Sequence, residues 1–134
     1  MKEFEEYVEE GKVKKQSANK AEARSLRVQA IRRFKQQVKD KEITSENSTF
    51  IFEDSYEPLR QHLQSFIAEN GYKPYSHEAI IAYAQENNEL TSSETNKMNQ
   101  YRKLRNDIRY RGETSTKNKA QKMKQITKNK LPIE

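Results

Sequence analysis

The sequence predicts an all-α protein, an up-and-down bundle of four to five helices. Apolar residues recur at intervals of three and four along most of the chain, which is the periodicity of an amphipathic helix. Capping residues such as Ser76 and Thr91 precede several of these stretches, and no stretch alternates convincingly between apolar and polar residues as a half-buried strand does. Short polar connections separate the stretches, which favours helices that pack side by side.

Length and composition predict one domain with a modest core. The chain has 134 residues, of which 32% are apolar and 34% are charged. We divide it into an N-terminal helix and linker (1–16), the bundle (17–128) and a tail (129–134). The absence of cysteine excludes disulfides and thiol catalysis. No apolar run approaches the ~18 residues of a membrane span, and the acidic start is unlike a signal peptide. We therefore expect a cytoplasmic protein without a membrane partner.

The first half of the chain predicts three helices, at residues 2–10, from a cap at Ser17 or Asn19 to about Lys41, and at 48–69. Pro58 lies inside the third of them, where a proline deletes one hydrogen bond and clashes with the preceding turn, at about 3 kcal/mol. We expect one helix that is kinked near Asp54, and the alternative is a new helix with Ser55 as its cap. The expected buried stripes are Phe4, Tyr7 and Val8; Ala23, Leu26, Ala30, Phe34 and Val38; and Phe52, Tyr56, Leu59, Leu63, Phe66 and Ile67.

The second half predicts three further helices, from His77 to about Asn87, from Thr91 to Gly112, and from a cap at Ser115 or Thr116 to about Lys128. Ser76 caps the first of them, after an aromatic loop at 71–75. Thr91 and Glu94 match a capping box, and Gly112 stands where helices end in a left-handed residue. The expected buried residues are Ile80, Ile81 and Tyr83 or Ala84; Met98, Tyr101, Leu104 and Ile108; and Ala120, Met123, Ile126 and Thr127.

Charge is segregated along the chain behind a formal net charge of +6. The net charges of residues 1–10, 11–41, 42–96 and 97–134 are −4, +9, −8 and +9. If the two basic segments fold side by side, they form a positive face that attracts phosphates and releases counterions. The alternative, which we favour for the lysine-rich part at 114–134, is that the cations are only solvated.

The C-terminal part of the helix that ends at Gly112 is rich in positive charge, and we call this part the basic turn. Its cations are Arg102, Lys103, Arg105, Arg109 and Arg111, and Asp107 alone interrupts them. This is more positive charge than the helix dipole needs, and arginine can fork onto phosphate oxygens. We name four arginines as candidate nucleic-acid-binding residues, namely Arg102, Arg105, Arg109 and Arg111.

Three segments in order carry a resemblance to the HEPN superfamily, in particular to a prokaryotic branch of it. They are FEDSYEPLR at 52–60, GYKPYSHEA at 71–79 and LRNDIRYRG at 104–112, and the resemblance spans roughly 20–127. The family motif is an arginine, usually followed by Asn or Asp, with a histidine four to six residues on. The resemblance implies a HEPN-like bundle and a homodimer with the arginine motifs near the dimer cleft. It further implies either a metal-independent RNase, often a toxin paired with a minimal nucleotidyltransferase antitoxin, or a non-catalytic domain that binds RNA or a nucleotide.

Tyr110 stands where the family has its histidine. Metal-free cleavage of RNA needs a base, a cation for the charge on phosphorus and an acid for the leaving oxygen. Arg105 suits the role of the cation, and Asn106 can orient a phosphate or the arginine. A tyrosine with a pKa near 10 is a donor rather than a base at pH 7; it can contact a phosphate, stack on a base or pack in the core. The candidate catalytic residues of such an endoribonuclease are Arg105, Asn106 and Tyr110, and we expect no cofactor and no metal.

His77 is the candidate auxiliary residue. It lies in the first turn of a helix, where the dipole disfavours a charged imidazole and keeps it neutral, as a base should be. The alternative is an ordinary surface histidine beside a cap, and His62 is expected at the core boundary. Carboxylates at Glu53, Asp54 and Glu57 fall one turn apart, and we expect a solvated face or pairing with a neighbouring arginine rather than a metal site.

Three hypotheses follow. The leading one is a HEPN-like homodimer that binds RNA or a nucleotide through Arg105, Asn106, Arg109 and Tyr110. The second is a non-catalytic interaction protein whose basic face pairs with an acidic partner, such as a nucleotidyltransferase. In the third, Arg105 and Asp107 form a buried polar tie between helices and have no role in binding.

Overall fold

A computed structural model describes residues 1–133 and contains six helices and one two-stranded sheet. In chain order the elements are α1 (Phe4–Glu9), β1 (Val13–Lys15), α2 (Lys20–Gln37), α3 (Ser48–Glu69), β2 (Tyr72–Pro74), α4 (His77–Glu86), α5 (Ser92–Arg111) and α6 (Lys117–Lys130). The predicted helical class is confirmed. Within residues 1–133, the six helices agree with the six helical stretches that the sequence predicts, one before residue 17 and five after it. The predicted lack of strands is wrong. Within residues 1–133, no helix is both long enough and apolar enough to cross a membrane.

Helix α3 is the centre of the fold. Helices α2 and α6 pack along it, and α4, α5 and β2 also contact it. Because it has neighbours on several sides, 13 of its 22 residues are buried. The helix runs without a break through Pro58, so the alternative of a new helix at Ser55 is wrong. Pro58 is itself buried beside Leu59, and we attribute the tolerance of the lost hydrogen bond to this packing, since burying a leucine contributes about 1.5–3 kcal/mol.

The small sheet was not predicted. Strands β1 and β2 are antiparallel, and Val13 pairs with Pro74. Each strand has three residues, which is too short for a period of two to be recognised in the sequence. Gly71 begins the turn into β2 with a φ of +87°, and a Cβ atom there would lie 2.9 Å from the carbonyl oxygen of Gln16. Residues of the predicted linker and of the predicted aromatic loop therefore hold the N-terminal segment against the connection between α3 and α4.

Most helix starts agree with the predicted caps. The side chains of Asn19, Ser76 and Thr116 each accept a hydrogen bond from the first turn of their helix. Thr91 forms the predicted capping box, and Gly112 ends α5 with a φ of 70°. The expected apolar stripes face the core, except that Val8, Leu26, Phe66, Leu104 and Ile126 are only partly buried. Local sequence thus specifies where these helices begin and which face they bury.

Two helix ends differ from the prediction. Helix α2 ends at Gln37 rather than near Lys41, because the buried Val38 leaves helical geometry at a φ of −129°. Helix α6 continues to Lys130, and Leu131 after it is buried. The described part of the predicted tail, 129–133, is therefore part of the packed structure, and position 134 lies outside the described residues.

Candidate functional site

The arginines of the basic turn diverge around α5. Arg102 points towards α4, where its guanidinium lies 3.3 Å from the carboxylate of Glu78 and its side chain is 14% exposed. Arg111 lies 3.9 Å from Asp107 on the same helix. Asp107 therefore pairs within α5, and the tie between helices that we considered for Arg105 and Asp107 is not formed. Of the four candidate arginines, Arg105 and Arg109 share a cleft.

That cleft, which we call the arginine–carboxylate cleft, has a volume of about 300 Å³. This is at the low end of the roughly 300–1,000 Å³ of small-ligand sites. Three helices line it, with Arg33 from α2, Glu53, Asp54 and Glu57 from α3, and Arg105 and Arg109 from α5. The two basic segments of the sequence do meet here, but α3 places carboxylates between them. The expected uninterrupted positive face is therefore not present at this site.

The charges of the cleft are mostly unpaired. Within residues 1–133, Glu57 is the one lining residue with an ion-pair partner, and Arg60 binds it with its Nε atom at 3.0 and 3.1 Å. This is the pairing with a neighbouring arginine that the spacing on α3 predicted. Burial alone would raise the pKa of Glu57, but the hydrogen bond and charge of Arg60 outweigh it, and the pKa is lowered. Glu57 thus has an ion-pair partner, whereas within residues 1–133 the other five lining side chains have none.

Two of the unpaired groups of the cleft, Arg105 and Asp54, are influenced by their surroundings. The Nη1 atom of Arg105 donates to Oδ1 of Asn106 at 3.3 Å, which restricts the guanidinium beside the cleft. Burial raises the pKa of Asp54, although the charges of Arg33 and Lys41 act in the opposite direction. The charges of Arg33 and Lys41 therefore act on Asp54, but within residues 1–133 no ion pair neutralises this carboxylate.

A second group of side chains adjoins Arg105 on the α4 side. The hydroxyl of Tyr56 lies 3.4 Å from Nδ1 of His77, and the two rings are stacked. Burial, followed by the positive charges of Arg60 and Arg105, lowers the pKa of His77 to about 4. Burial likewise raises the pKa of Tyr56 to about 12. His77 is therefore a neutral imidazole near Arg105 at neutral pH, and the cause is burial rather than the helix dipole on which the prediction rested.

Tyr110 is 79% exposed at the end of α5. The alternative that it packs in the core is wrong, because α5 turns this position to solvent one turn after Asn106. Tyr110 does not line the arginine–carboxylate cleft. His62 is also misplaced in our prediction, because it is buried rather than at the core boundary.

Sequence reasoning did not identify Arg33 or Phe50. Arg33 reaches the cleft from α2, and one arginine among many in a basic helix gives no signal. Phe50 is 64% exposed and shares the face of α3 with Glu53, Asp54 and Glu57, because these four positions follow the helical spacing of three and four. An exposed aromatic in line with three acids is a signal that the sequence does contain.

Metal binding has no support in the described residues. Within 1–133, no three His, Asp or Glu side chains are arranged to hold a metal ion. The carboxylates of α3 instead share their cleft with arginines, whose positive charges oppose the binding of a cation.

Comparisons with known proteins do not identify a relative. No protein-family model matches the chain, and neither the curated proteins nor the solved structures contain a match. The HEPN resemblance, the homodimer and the nucleotidyltransferase partner therefore remain predictions from the sequence motifs.

Proposed function

We propose that this protein binds single-stranded RNA or a nucleotide, with phosphates held in the arginine–carboxylate cleft. The observation that carries the proposal is the convergence of Arg33, Arg105 and Arg109, from two different helices, on one cleft without any ion-pair partner within residues 1–133. Arginines held for stability normally have a carboxylate or carbonyl partner, since an unpaired charge near a protein surface gains little. Guanidinium groups left free around a concavity suit a phosphate ligand, because each planar guanidinium can donate two hydrogen bonds to two oxygens of one phosphate.

The neighbouring groups support the same proposal. Asn106 restricts the guanidinium of Arg105, which lowers the entropy lost when a ligand binds. Tyr110 presents an exposed ring one turn beyond Asn106, where it can stack on an unpaired base. The HEPN resemblance adds the expectation of a homodimer that brings two such clefts together, with a nucleotidyltransferase as a partner protein.

Cleavage of the bound RNA is a separate question from binding. Arg105 can stabilise negative charge on phosphorus, whereas the phenol of Tyr110 is suited to donate a hydrogen bond. His77 is the imidazole whose pKa is lowered in part by Arg105, so we take it as the candidate base in place of Tyr110. Neither side chain lines the cleft, and an imidazole with a pKa of about 4 is a weak base at neutral pH. We propose binding as the primary activity, and we assign any metal-independent cleavage to Arg105 and His77.

The binding proposal is tested by fluorescence anisotropy with a short labelled single-stranded RNA at low salt. We expect Arg105→Ala and Arg109→Ala each to weaken binding about tenfold and to reduce the slope of log affinity against log salt by about 1. Arg24→Ala is the matched control, because Arg24 is an exposed arginine on α2 that does not line the cleft, and it removes the same charge. Equal effects of all three variants would show that net charge alone attracts the RNA and would overturn the cleft as the site.

The same proteins are incubated with the RNA in EDTA, with Tyr110→Phe and His77→Ala added. Cleavage that is lost in Arg105→Ala and His77→Ala but kept in Tyr110→Phe would support the assignment above. Cleavage lost in Tyr110→Phe would return the catalytic role to the phenol. Circular dichroism of each variant excludes unfolding as the cause.

A further inference from the structure

The carboxylates of the cleft are not explained by phosphate binding. Glu53 and Asp54 line the same concavity as the three arginines, and within residues 1–133 neither forms an ion pair or a side-chain hydrogen bond. A carboxylate beside a phosphate site repels the ligand, so a site for phosphate alone gains nothing from them. A carboxylate can, however, accept hydrogen bonds from N–H groups of the same ligand.

Phe50 offers a flat apolar surface one helical turn from the carboxylates of the cleft, although it does not line the cleft itself. It lies one turn before Glu53 and Asp54 on the same face of α3 and is 64% exposed. The backbone beneath it is well anchored, because Ser48 Oγ donates to the carbonyl of Ser115 at 2.9 Å and the amide of Ser115 donates to Thr49 Oγ1 at 2.9 Å. These bonds attach the start of α3 to the segment that follows α5, and they fix the backbone that carries the Phe50 ring.

We propose that the arginine–carboxylate cleft contains a guanine subsite. The base stacks on Phe50, and Glu53 or Asp54 accepts hydrogen bonds from its N1–H and N2–H groups, while the arginines hold the adjoining phosphate. This inference rests on the proposed RNA-binding function and names the base that the site selects.

The chemistry of the bases singles out guanine. A carboxylate accepts hydrogen bonds and has none to donate when it is ionised. Guanine presents two adjacent N–H donors on its Watson–Crick edge, which match the two oxygens of one carboxylate. Adenine and cytosine place an acceptor nitrogen beside their amino group, and uracil places its N–H between two carbonyls, so each of them sets a lone pair against the carboxylate. In a duplex this edge is already paired, so the subsite requires single-stranded RNA.

The test compares labelled uridine heptamers that carry guanosine, inosine, adenosine, cytidine or uridine at the central position. We expect the guanosine RNA to bind about tenfold more tightly than the all-uridine RNA, which is the discrimination typical of one bidentate contact. Inosine, which lacks the N2 amino group, should lie between the two. Anisotropy at one fixed salt concentration gives the whole series.

Variants then assign the preference to residues. The double variant Glu53→Gln/Asp54→Asn should abolish the preference for guanosine and should raise the affinity for the all-uridine RNA, since an amide no longer repels phosphate. Glu9→Gln is the control, because Glu9 is an exposed carboxylate on α1, outside the cleft. Phe50→Ala should weaken binding of every RNA at least about threefold, and Phe50→Tyr, which keeps a ring, should restore it.

The failure of this inference is distinguishable from that of the proposed function. If all five RNAs bind equally and Arg109→Ala weakens them all, the phosphate site stands and the guanine subsite is overturned. A guanosine preference that persists in the double carboxylate variant would also overturn the assignment to α3. If no RNA binds, both proposals fall together.

Discussion

The two ends of the contact between α2 and α3 use similar side chains in opposite ways. At one end Arg27 of α2 faces Glu69 and His62 of α3. At the other end Arg33 of α2 faces Asp54 of α3 in the arginine–carboxylate cleft, and His77 lies near Arg105, which lines the same cleft. Each end combines an arginine and a carboxylate with an imidazole nearby whose pKa is lowered to about 4.

At the first end the arginine has its partners. Arg27 donates from Nε to Ser65 Oγ at 2.9 Å and from Nη2 to Glu69 at 2.7 Å. The same guanidinium lies over the ring of Phe66, 4.8 Å from its centroid. Its charge is fully used within the fold, so this arginine holds two helices together.

At the second end the partners are missing. Within residues 1–133, neither Arg33 nor Asp54 forms an ion pair, although each lies in the field of the other. An arginine that holds the fold together and an arginine that is free to bind a ligand therefore cannot be told apart by residue type. What distinguishes them is the number of hydrogen-bond and ion-pair partners that each guanidinium has in the folded protein. Three predictions test this contrast.

The largest effect is expected on acidification. Burial, followed by the charge of Arg27, lowers the pKa of His62 from 6.5 to about 4. The unfolded chain therefore binds a proton before the folded protein does. The stabilisation is fully present above pH 6.5 and is lost as the pH falls towards 4, by about 3 kcal/mol. Urea unfolding at a series of pH values measures it.

His62→Gln should remove the part of this pH dependence that comes from His62, about half of the fall expected from the two imidazoles together. His77→Gln serves for comparison, since burial lowers the pKa of His77 in the same direction. A slope between pH 6.5 and 4 that is unchanged in both variants would contradict the assignment to the imidazoles. Carboxylates with lowered pKa, such as Glu57, lose their contribution below their usual pKa of about 4.5, in a more acidic range.

The second largest effect is a loss of stability on removal of Arg27. Arg27→Ala removes a hydrogen bond, a partly exposed ion pair and a cation–π contact, and we expect it to lower the free energy of unfolding by about 2 kcal/mol. RNA affinity, measured well below the melting temperature, should not change. Lower affinity in a fully folded Arg27→Ala protein would show that this end of the interface also binds.

The smallest effect is a loss of RNA affinity on removal of Arg33. Arg33→Ala should weaken RNA binding by about fivefold, because the loss of one phosphate contact costs about 1 kcal/mol of binding free energy. Its free energy of unfolding should stay within about 0.5 kcal/mol of the wild type, as for other surface changes without a partner. A destabilisation as large as that of Arg27→Ala would mean that Arg33 has a structural role.

Much of the fold follows from local sequence. The caps at Asn19, Ser76, Thr91 and Thr116 and the left-handed Gly112 involve neighbouring residues, so their chemistry is visible in the chain. The two strands and the early end of α2 were not predictable, because β1 pairs with a segment about sixty residues away and Val38 leaves the helix to enter the core. Long-range contacts of this kind leave no periodic signal.

The features of the candidate site also divide into those set by neighbouring residues and those set by long-range contacts. The basic turn of α5 and the pairing of Glu57 with Arg60 depend on residues within about one helical turn, and the sequence by itself determined them. The neutral state of His77 comes from burial and from arginines of other helices, so the tertiary structure decided it. Only the tertiary structure decided that Arg102 turns to Glu78, that Tyr110 stays in solvent, and that Arg33 from another helix meets Arg105 and Arg109. Helical spacing sets the direction in which a side chain leaves its own helix, whereas its partner depends on how the helices pack.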